Sequence, residues 1–190
     1  MISYIKNNSR IITKLILNQV GAAILGFTLT SAAAKSDTLF VAMSVLSTVF
    51  YMVLLYNAIW EEGGKERIRI DGGRAEMKPF RGLFVSLIAN IPNFVLFLLI
   101  FIGRIFGTTD GFGFKWAGTI YSIGHGIAIF YEGMYAGLVS SYSPYNPIGY
   151  LLIILPAVLV CTVGYIIGVN NIRIFDIITF KNVRNKNSGK

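Results

Sequence analysis

Long apolar runs separated by short polar stretches dominate the hydrophobic pattern of this chain. A helix that crosses a bilayer needs about 20 mostly apolar residues, because the hydrocarbon core is roughly 30 Å thick. Four runs meet this length, at residues 15–34, 38–60, 82–103 and 148–169. Backbone amides in hydrocarbon must pair within their own segment, so each run is predicted to be a transmembrane helix.

A fifth apolar run, residues 116–140, is long enough to cross but contains His125, Glu132 and five glycines. A carboxylate near the centre of a membrane helix costs about 2.5–3.5 kcal/mol on insertion scales. Crossing is therefore marginal, and we expect this segment to be re-entrant or to lie at the outer interface.

Basic residues distinguish the possible topologies, because cytoplasmic loops carry most of the lysines and arginines of a membrane protein. If all five runs cross and the N-terminus is inside, 9 basic residues lie inside and 8 outside. If residues 116–140 do not cross, 14 lie inside and 3 outside. The sequence therefore predicts an all-α integral membrane protein with four transmembrane helices, a marginal fifth membrane helix and both termini in the cytoplasm.

Composition supports the membrane environment, since 54% of the 190 residues are hydrophobic and only 14% are charged. Soluble domains usually contain about 25% charged residues. The net charge of +8 would suggest a nucleic-acid partner in a soluble protein. Here the basic residues lie between the apolar runs and no RNA-binding module is visible, so we expect a lipid bilayer and no nucleic acid.

Two polar segments follow apolar runs. The loop at residues 61–81 carries six basic and five acidic residues. Within it, Arg67–Asp71 alternates polar and apolar residues before Gly72-Gly73, which predicts a short strand and a tight turn. The basic tail at residues 170–190 begins with mixed apolar and charged residues, which predicts a segment lying on the inner leaflet and a disordered end.

The first apolar run also has some features of a secretory signal peptide. Ala32-Ala33-Ala34 precedes Lys35, as at a cleavage site of small residues. The run is longer than a signal-peptide core and is interrupted by Asn18 and Gln19, so we expect it to be retained as a helix.

The candidate chemistry is concentrated in residues 116–140. His125 and Glu132 are seven positions apart, close to two helical turns, so they share a face, with Tyr121 one turn earlier. Ionisable residues inside membranes indicate a proton or cation relay or a polar-substrate contact. The alternative is that both side chains reach water at the outer interface.

A second candidate lies in the third span, where Asn90 and Asn93 flank Pro92. This pattern is typical of a broken helix that binds substrate, or of a simple kink with its amides packed inward.

The chain has one cysteine, Cys161, and one histidine. We therefore expect no metal site, no cofactor and no catalytic residues, and the known nucleotide-binding and hydrolase motifs are missing.

Glycine pairs at a spacing of four predict close helix packing, at Gly133 with Gly137 and at Gly164 with Gly168. These pairs are expected to pack helices within the chain. Packing against a partner subunit or a second copy is the alternative.

Two sequence motifs end the second and the last apolar runs. The first is Phe50-Tyr51-x-x-Leu54-Leu55-Tyr56-x-x-x-Trp60-Glu61-x-Gly63, and the second is Gly164-Tyr165-Ile166-Ile167-Gly168. Together they resemble an uncharacterised family of small multi-span membrane proteins of Gram-positive bacteria. The resemblance would cover most of the chain and implies the bacterial cytoplasmic membrane, without implying an activity.

Three function classes follow from these observations. The first expectation is a non-enzymatic accessory or interaction subunit that packs with itself or with a membrane partner. The second is the membrane component of a small-molecule transporter, similar to the substrate-binding subunit of a vitamin importer. A membrane enzyme is the third, disfavoured because so few catalytic side chains are present.

A reporter fused after Lys190 tests the predicted topology. We expect a reporter that is active only in the cytoplasm to be active there, because four crossings return the chain to the side on which it began. Activity of an exterior-specific reporter at the same position would instead require an odd number of crossings.

Overall fold

The computed structural model describes residues 2–107, 114–142 and 148–172, and all regular structure in these ranges is helical. The all-α prediction is thus confirmed for the described residues. The tail beyond Ile172, including most of the predicted inner-leaflet segment, lies outside them. The elements are α1 (Ile2–Ala32), α2 (Asp37–Asp71), α3 (Arg81–Ala89), α4 (Ile91–Phe106), α5 (Lys115–Tyr131), a 3₁₀ turn (Gly133–Tyr135), α6 (Ala136–Tyr142), α7 (Ile148–Leu152) and α8 (Ile154–Val169).

Several of these helices are long and apolar enough to cross a membrane. Three qualify directly, at Ser3–Ala32, Asp37–Asp71 and Ile148–Val169, and α3 with α4 qualifies as a pair bent by 49°. The outward faces of the helices are apolar, with Leu17, Val49 and Leu159 each between 55% and 64% exposed. Such faces suit hydrocarbon better than water.

The second helix continues well beyond the predicted span and includes Arg67–Asp71. The strand prediction for these residues is therefore wrong. Lys65 pairs with Glu61 at 2.7 Å and Arg67 with Asp71 at 3.3 Å, both at the i,i+4 spacing that stabilises helices. A turn follows at Gly72-Gly73, where Gly73 has a positive φ of 67°.

One end of the bundle, here called the basic end, holds the start of α1 and the end of α2. Lys14 of α1 lies 2.6 Å from the Glu61 carboxylate of α2. The start of α3 joins them through a 2.9 Å hydrogen bond from Arg81 to Asn8, and the end of α8 through Arg67, which donates to the Val169 carbonyl at 3.4 Å.

Helices α5 and α6 form a hairpin, residues 115–142, that begins and ends at the opposite end of the bundle. At its start, Phe114 donates to the Phe106 carbonyl at the end of α4, at 3.2 Å. At its return, Gly137 lies against Phe40 and Ser44 near the start of α2. The hairpin therefore reaches into the bundle and comes back without running through to the basic end.

The bend between α3 and α4 is lined by buried amides. Gln19 of α1 donates to Asn93 at 2.7 Å, Asn93 donates to Asn90 at 2.8 Å, and Asn90 donates to the Ser86 carbonyl at 2.9 Å. These side chains are at most 4% exposed. The Asn90 and Asn93 side chains thus point into the bundle at the kink beside Pro92, and each amide makes a hydrogen bond there.

Two glycines of the hairpin form a matched test of its packing. A Cβ at Gly137 would lie 2.7 Å from the Ser44 Cβ, whereas one at Gly126 would meet nothing within 4 Å. Gly137→Ala should lower the free energy of unfolding by about 1–3 kcal/mol, as overpacking does. Gly126→Ala should raise it by roughly 0.5–1 kcal/mol, because alanine favours helix. Unfolding in detergent micelles measures both, and equal effects would contradict this packing.

Candidate functional site

The site is built around the turn of the hairpin, where Glu132 caps the C-terminal end of α5. The Glu132 amide still donates to the Ala128 carbonyl at 2.8 Å, in helical fashion. Its own carbonyl then accepts from the Tyr135 amide at 2.8 Å, which starts the 3₁₀ turn. Glu132 is therefore the point at which the chain reverses.

Ser44 and Thr48 of α2 hold this turn in place. The Ser44 hydroxyl donates to the Met134 carbonyl at 2.8 Å and accepts from the Gly137 amide at 3.1 Å. Thr48 donates to the same carbonyl at 3.0 Å. Backbone groups that leave the helical pattern inside a bundle need such partners, since no bulk water reaches them.

Glycines let the turn approach α1 closely. A Cβ at Gly133 would fall 2.9 Å from the Phe27 Cβ and 3.1 Å from the Ala23 carbonyl oxygen. Gly164 and Gly168 have the same role in α8, where they lie against Ile59 and Trp60 of α2. All four glycines singled out from the sequence, Gly133, Gly137, Gly164 and Gly168, thus contact another helix of this chain.

The Glu132 side chain is 3% exposed, and neither carboxylate oxygen has a hydrogen-bond partner among the described residues. The hydroxyl groups of Tyr131 and Tyr135, on either side of the turn, are likewise buried without a partner. Burying a polar group without hydrogen bonds costs several kcal/mol, and burying a charge costs more. Unpaired groups of this kind are rare in folded proteins, so each one calls for an explanation.

Glu66, at the basic end, shows how this chain treats a buried carboxylate that only stabilises the fold. It is 6% exposed. Arg81 donates to it in a short hydrogen bond, and Arg69 lies 3.6 Å away. Glu62 adds a second carboxylate beside Arg81, at 3.5 Å. Glu66 is thus paired from two sides, whereas Glu132 is equally buried and has no cation beside it in the part of the chain described.

A cavity of about 410 Å³ lies against Glu132. Aromatic rings form much of its wall: the His125 ring stacks on Tyr121 with centroids 5.6 Å apart, and meets Tyr150 edge-on at 6.4 Å. The full lining consists of Phe40, Tyr121, His125, Ala128, Ile129, Glu132, Ala136, Val139, Ser140 and Tyr150.

The cavity runs from the end of the bundle opposite to the basic end, where the hairpin begins and ends, towards the interior of the bundle. Phe40 lies in the first turn of α2, Ser140 in the last turn of α6, and Tyr150 in the one-turn helix α7. Glu132 follows the last residue of α5, at the far end of this helix from Lys115, and so lies at the turn of the hairpin. Glu132 therefore lines a mostly apolar, aromatic cleft at the turn of the hairpin.

The structure brings together three of the residues singled out from the sequence, Tyr121, His125 and Glu132. Asn90 and Asn93 do not line this cavity, since their amides pair with each other and with Gln19. Phe40 and Tyr150 were missed because they belong to other elements, and Ser140, although within residues 116–140, was not singled out from the sequence. The sequence contained one signal for Tyr150, an aromatic residue at the start of a span.

The donor set at the cavity gives little support for a metal ion. Calcium takes six to eight oxygen ligands, and structural zinc takes four from cysteine, histidine and carboxylate. The cavity offers one carboxylate and one imidazole. No group of three or more histidine, cysteine or acidic side chains suited to a metal occurs in the described ranges.

Comparisons with protein-family models, with curated proteins and with solved structures found no match to this chain. The resemblance to small membrane proteins of Gram-positive bacteria therefore stays a prediction.

The contrast between the two buried glutamates predicts opposite effects of the same substitution. Glu132→Met should raise the free energy of unfolding by about 1–3 kcal/mol, because it removes an unpaired polar group and keeps the volume. Glu66→Met should lower it by roughly 3 kcal/mol, because it leaves Arg81 buried without its closest partner. Unfolding of both variants in micelles measures this. Destabilisation by Glu132→Met would indicate a partner that holds this carboxylate in the fold.

Proposed function

We propose that this chain is an integral protein of the bacterial cytoplasmic membrane, with four crossings and the α5–α6 hairpin re-entering from the outer side. The crossings are α1, α2, the bent pair α3 with α4, and α7 with α8. Support comes from the shared end at which the hairpin begins and returns, and from the 14 basic residues that this topology places inside, against 3 outside. The reporter at Lys190 tests it.

We further propose that the hairpin binds a small, positively charged solute at Glu132, and that the chain is the membrane component of a small-molecule transporter. The observation that carries this proposal is that Glu132, whose carboxylate is buried and unpaired among the described residues, lines the cavity. A cation offers the charge that the surrounding protein does not supply, so its binding would offset the cost of burying Glu132.

Transport suits the geometry better than the interaction subunit expected first from the sequence. A subunit that serves only for packing gains nothing from an unpaired buried carboxylate, which lowers its stability. Interrupted helices and non-helical backbone at membrane depth occur where they line a cavity or a binding site. Here the break at Glu132 lines the cavity.

Modification by dicyclohexylcarbodiimide tests cation binding without knowledge of the solute. This apolar reagent condenses with protonated carboxyl groups that it reaches from a membrane. Glu132 should be modified in the purified protein, and soluble cations that occupy the site should slow the reaction. The panel consists of the chlorides of sodium, potassium, magnesium, calcium and choline at equal ionic strength, with the adduct located by mass spectrometry.

The chain contains its own control, since Glu66 is equally buried but paired with arginines and should react little. Glu132→Gln replaces the carboxyl group that reacts with the carbodiimide by an amide, and should eliminate the adduct at this position. The proposed function is wrong if Glu132 reacts at the same rate in every salt, or if Glu66 is modified as fast as Glu132.

A further inference from the structure

The walls of the Glu132 cavity are unusual for an inorganic cation. Three aromatic side chains, Tyr121, His125 and Tyr150, pack on one another in one wall of the cavity, with neighbouring ring centroids 5.6 and 6.4 Å apart. Phe40 of α2 contributes a fourth ring to the lining. Aromatic faces attract cations through the negative charge of their π-systems, within about 6 Å of the ring centroid.

The oxygen atoms in the cavity are too few to replace the hydration shell of a bare metal ion. Besides Glu132, the lining side chains that carry oxygen are Tyr121, Ser140 and Tyr150. Hard cations need six or more oxygen ligands arranged around the ion. An ion whose charge is spread over carbon-bound hydrogens has no such requirement.

The size of the cavity also suits a small organic molecule better than a bare ion. At about 410 Å³ it falls within the range of roughly 300–1,000 Å³ that is typical of small-molecule sites. Its remaining lining is apolar, from Ala128, Ile129, Ala136 and Val139. An occupant that fills this space needs both a positive charge and an apolar surface.

We propose that the cavity binds a small organic ammonium compound, with the alkylated nitrogen packed against the aromatic wall formed by Tyr121, His125 and Tyr150 and its charge balanced by Glu132. This inference rests on the proposed function and names its substrate class. Glu132 supplies the counter-charge, and the aromatic rings select a weakly hydrated, methylated cation over sodium or potassium. The apolar lining accommodates the alkyl groups.

Choline and its uncharged carbon isostere, 3,3-dimethylbutan-1-ol, are the probes for this proposal. The two have nearly the same shape, so a difference between them measures the response to charge. Choline should raise the midpoint of thermal unfolding of the purified full chain and slow carbodiimide modification of Glu132. The isostere and sodium chloride at equal ionic strength should do neither, and Glu132→Gln should lose the response to choline.

Substitutions of the rings test the binding mode. Tyr121→Leu should weaken choline binding by roughly tenfold, the size of one cation–π contact, while Tyr121→Phe should retain most of it because the ring remains. Phe130→Leu is the matched control, since Phe130 lies on the same helix but is 47% exposed and does not line the cavity. Equal losses in Tyr121→Leu and Phe130→Leu would overturn the assignment.

The outcomes separate this inference from the proposed function. If sodium, potassium or a divalent ion protects Glu132 and choline does not, the ammonium assignment is wrong and cation binding at Glu132 stands. If no cation protects Glu132, both fail. Equal shifts with choline and its isostere would indicate an apolar cavity that does not recognise charge, which also overturns the assignment.

Discussion

The Ser44 hydroxyl makes the hairpin possible. A chain that reverses inside a helical bundle exposes backbone groups that helices normally satisfy, and hydrocarbon offers them no partner. Ser44 donates to the Met134 carbonyl and accepts from the Gly137 amide, so one side chain satisfies a group within the turn and another just after it. Thr48, one helical turn away, adds a second donor to Met134. The position of Glu132 follows from this anchoring, since it directly follows the last residue of α5.

The two ends of the bundle use buried charge in opposite ways. At the basic end, Arg81 joins α1, α2 and α3 by bonding Asn8 and Glu66 and lying beside Glu62. The buried charges of Arg81 and Glu66 each lie close to an opposite charge, which is how folded proteins tolerate burial of ions. In the hairpin, Glu132 is as deeply buried and unpaired. The same chain therefore pairs a carboxylate where it stabilises the fold and leaves one available where a solute is proposed to bind.

The local sequence pattern predicted the helices well but only part of the candidate site. Long apolar runs predicted the helices, because only helices satisfy the backbone over such lengths in hydrocarbon. The spacing of Tyr121, His125 and Glu132 placed them on one face, and the cavity includes all three. Phe40 and Tyr150 come from distant parts of the chain. The spacing of residues along the sequence does not indicate that their side chains line the same cavity as Glu132. Arg67–Asp71 was misjudged because alternation outweighed the i,i+4 pairs that hold this stretch in helix.

Two interruptions of the helical pattern meet on one face of α1. Gln19 bonds Asn93 at the bend between α3 and α4, while Ala23 and Phe27 lie against Gly133 at the turn of the hairpin. These α1 positions follow at intervals of four, so they form a single stripe along the helix. The stripe contacts the bend between α3 and α4 through the Gln19 amide at one end, and it contacts the hairpin turn through Gly133 at the other. Because both contacts are closely packed, neither the bend nor the turn has room to shift alone. Movement of the hairpin about Glu132 would therefore act on α1 directly, and through Gln19 on the bend.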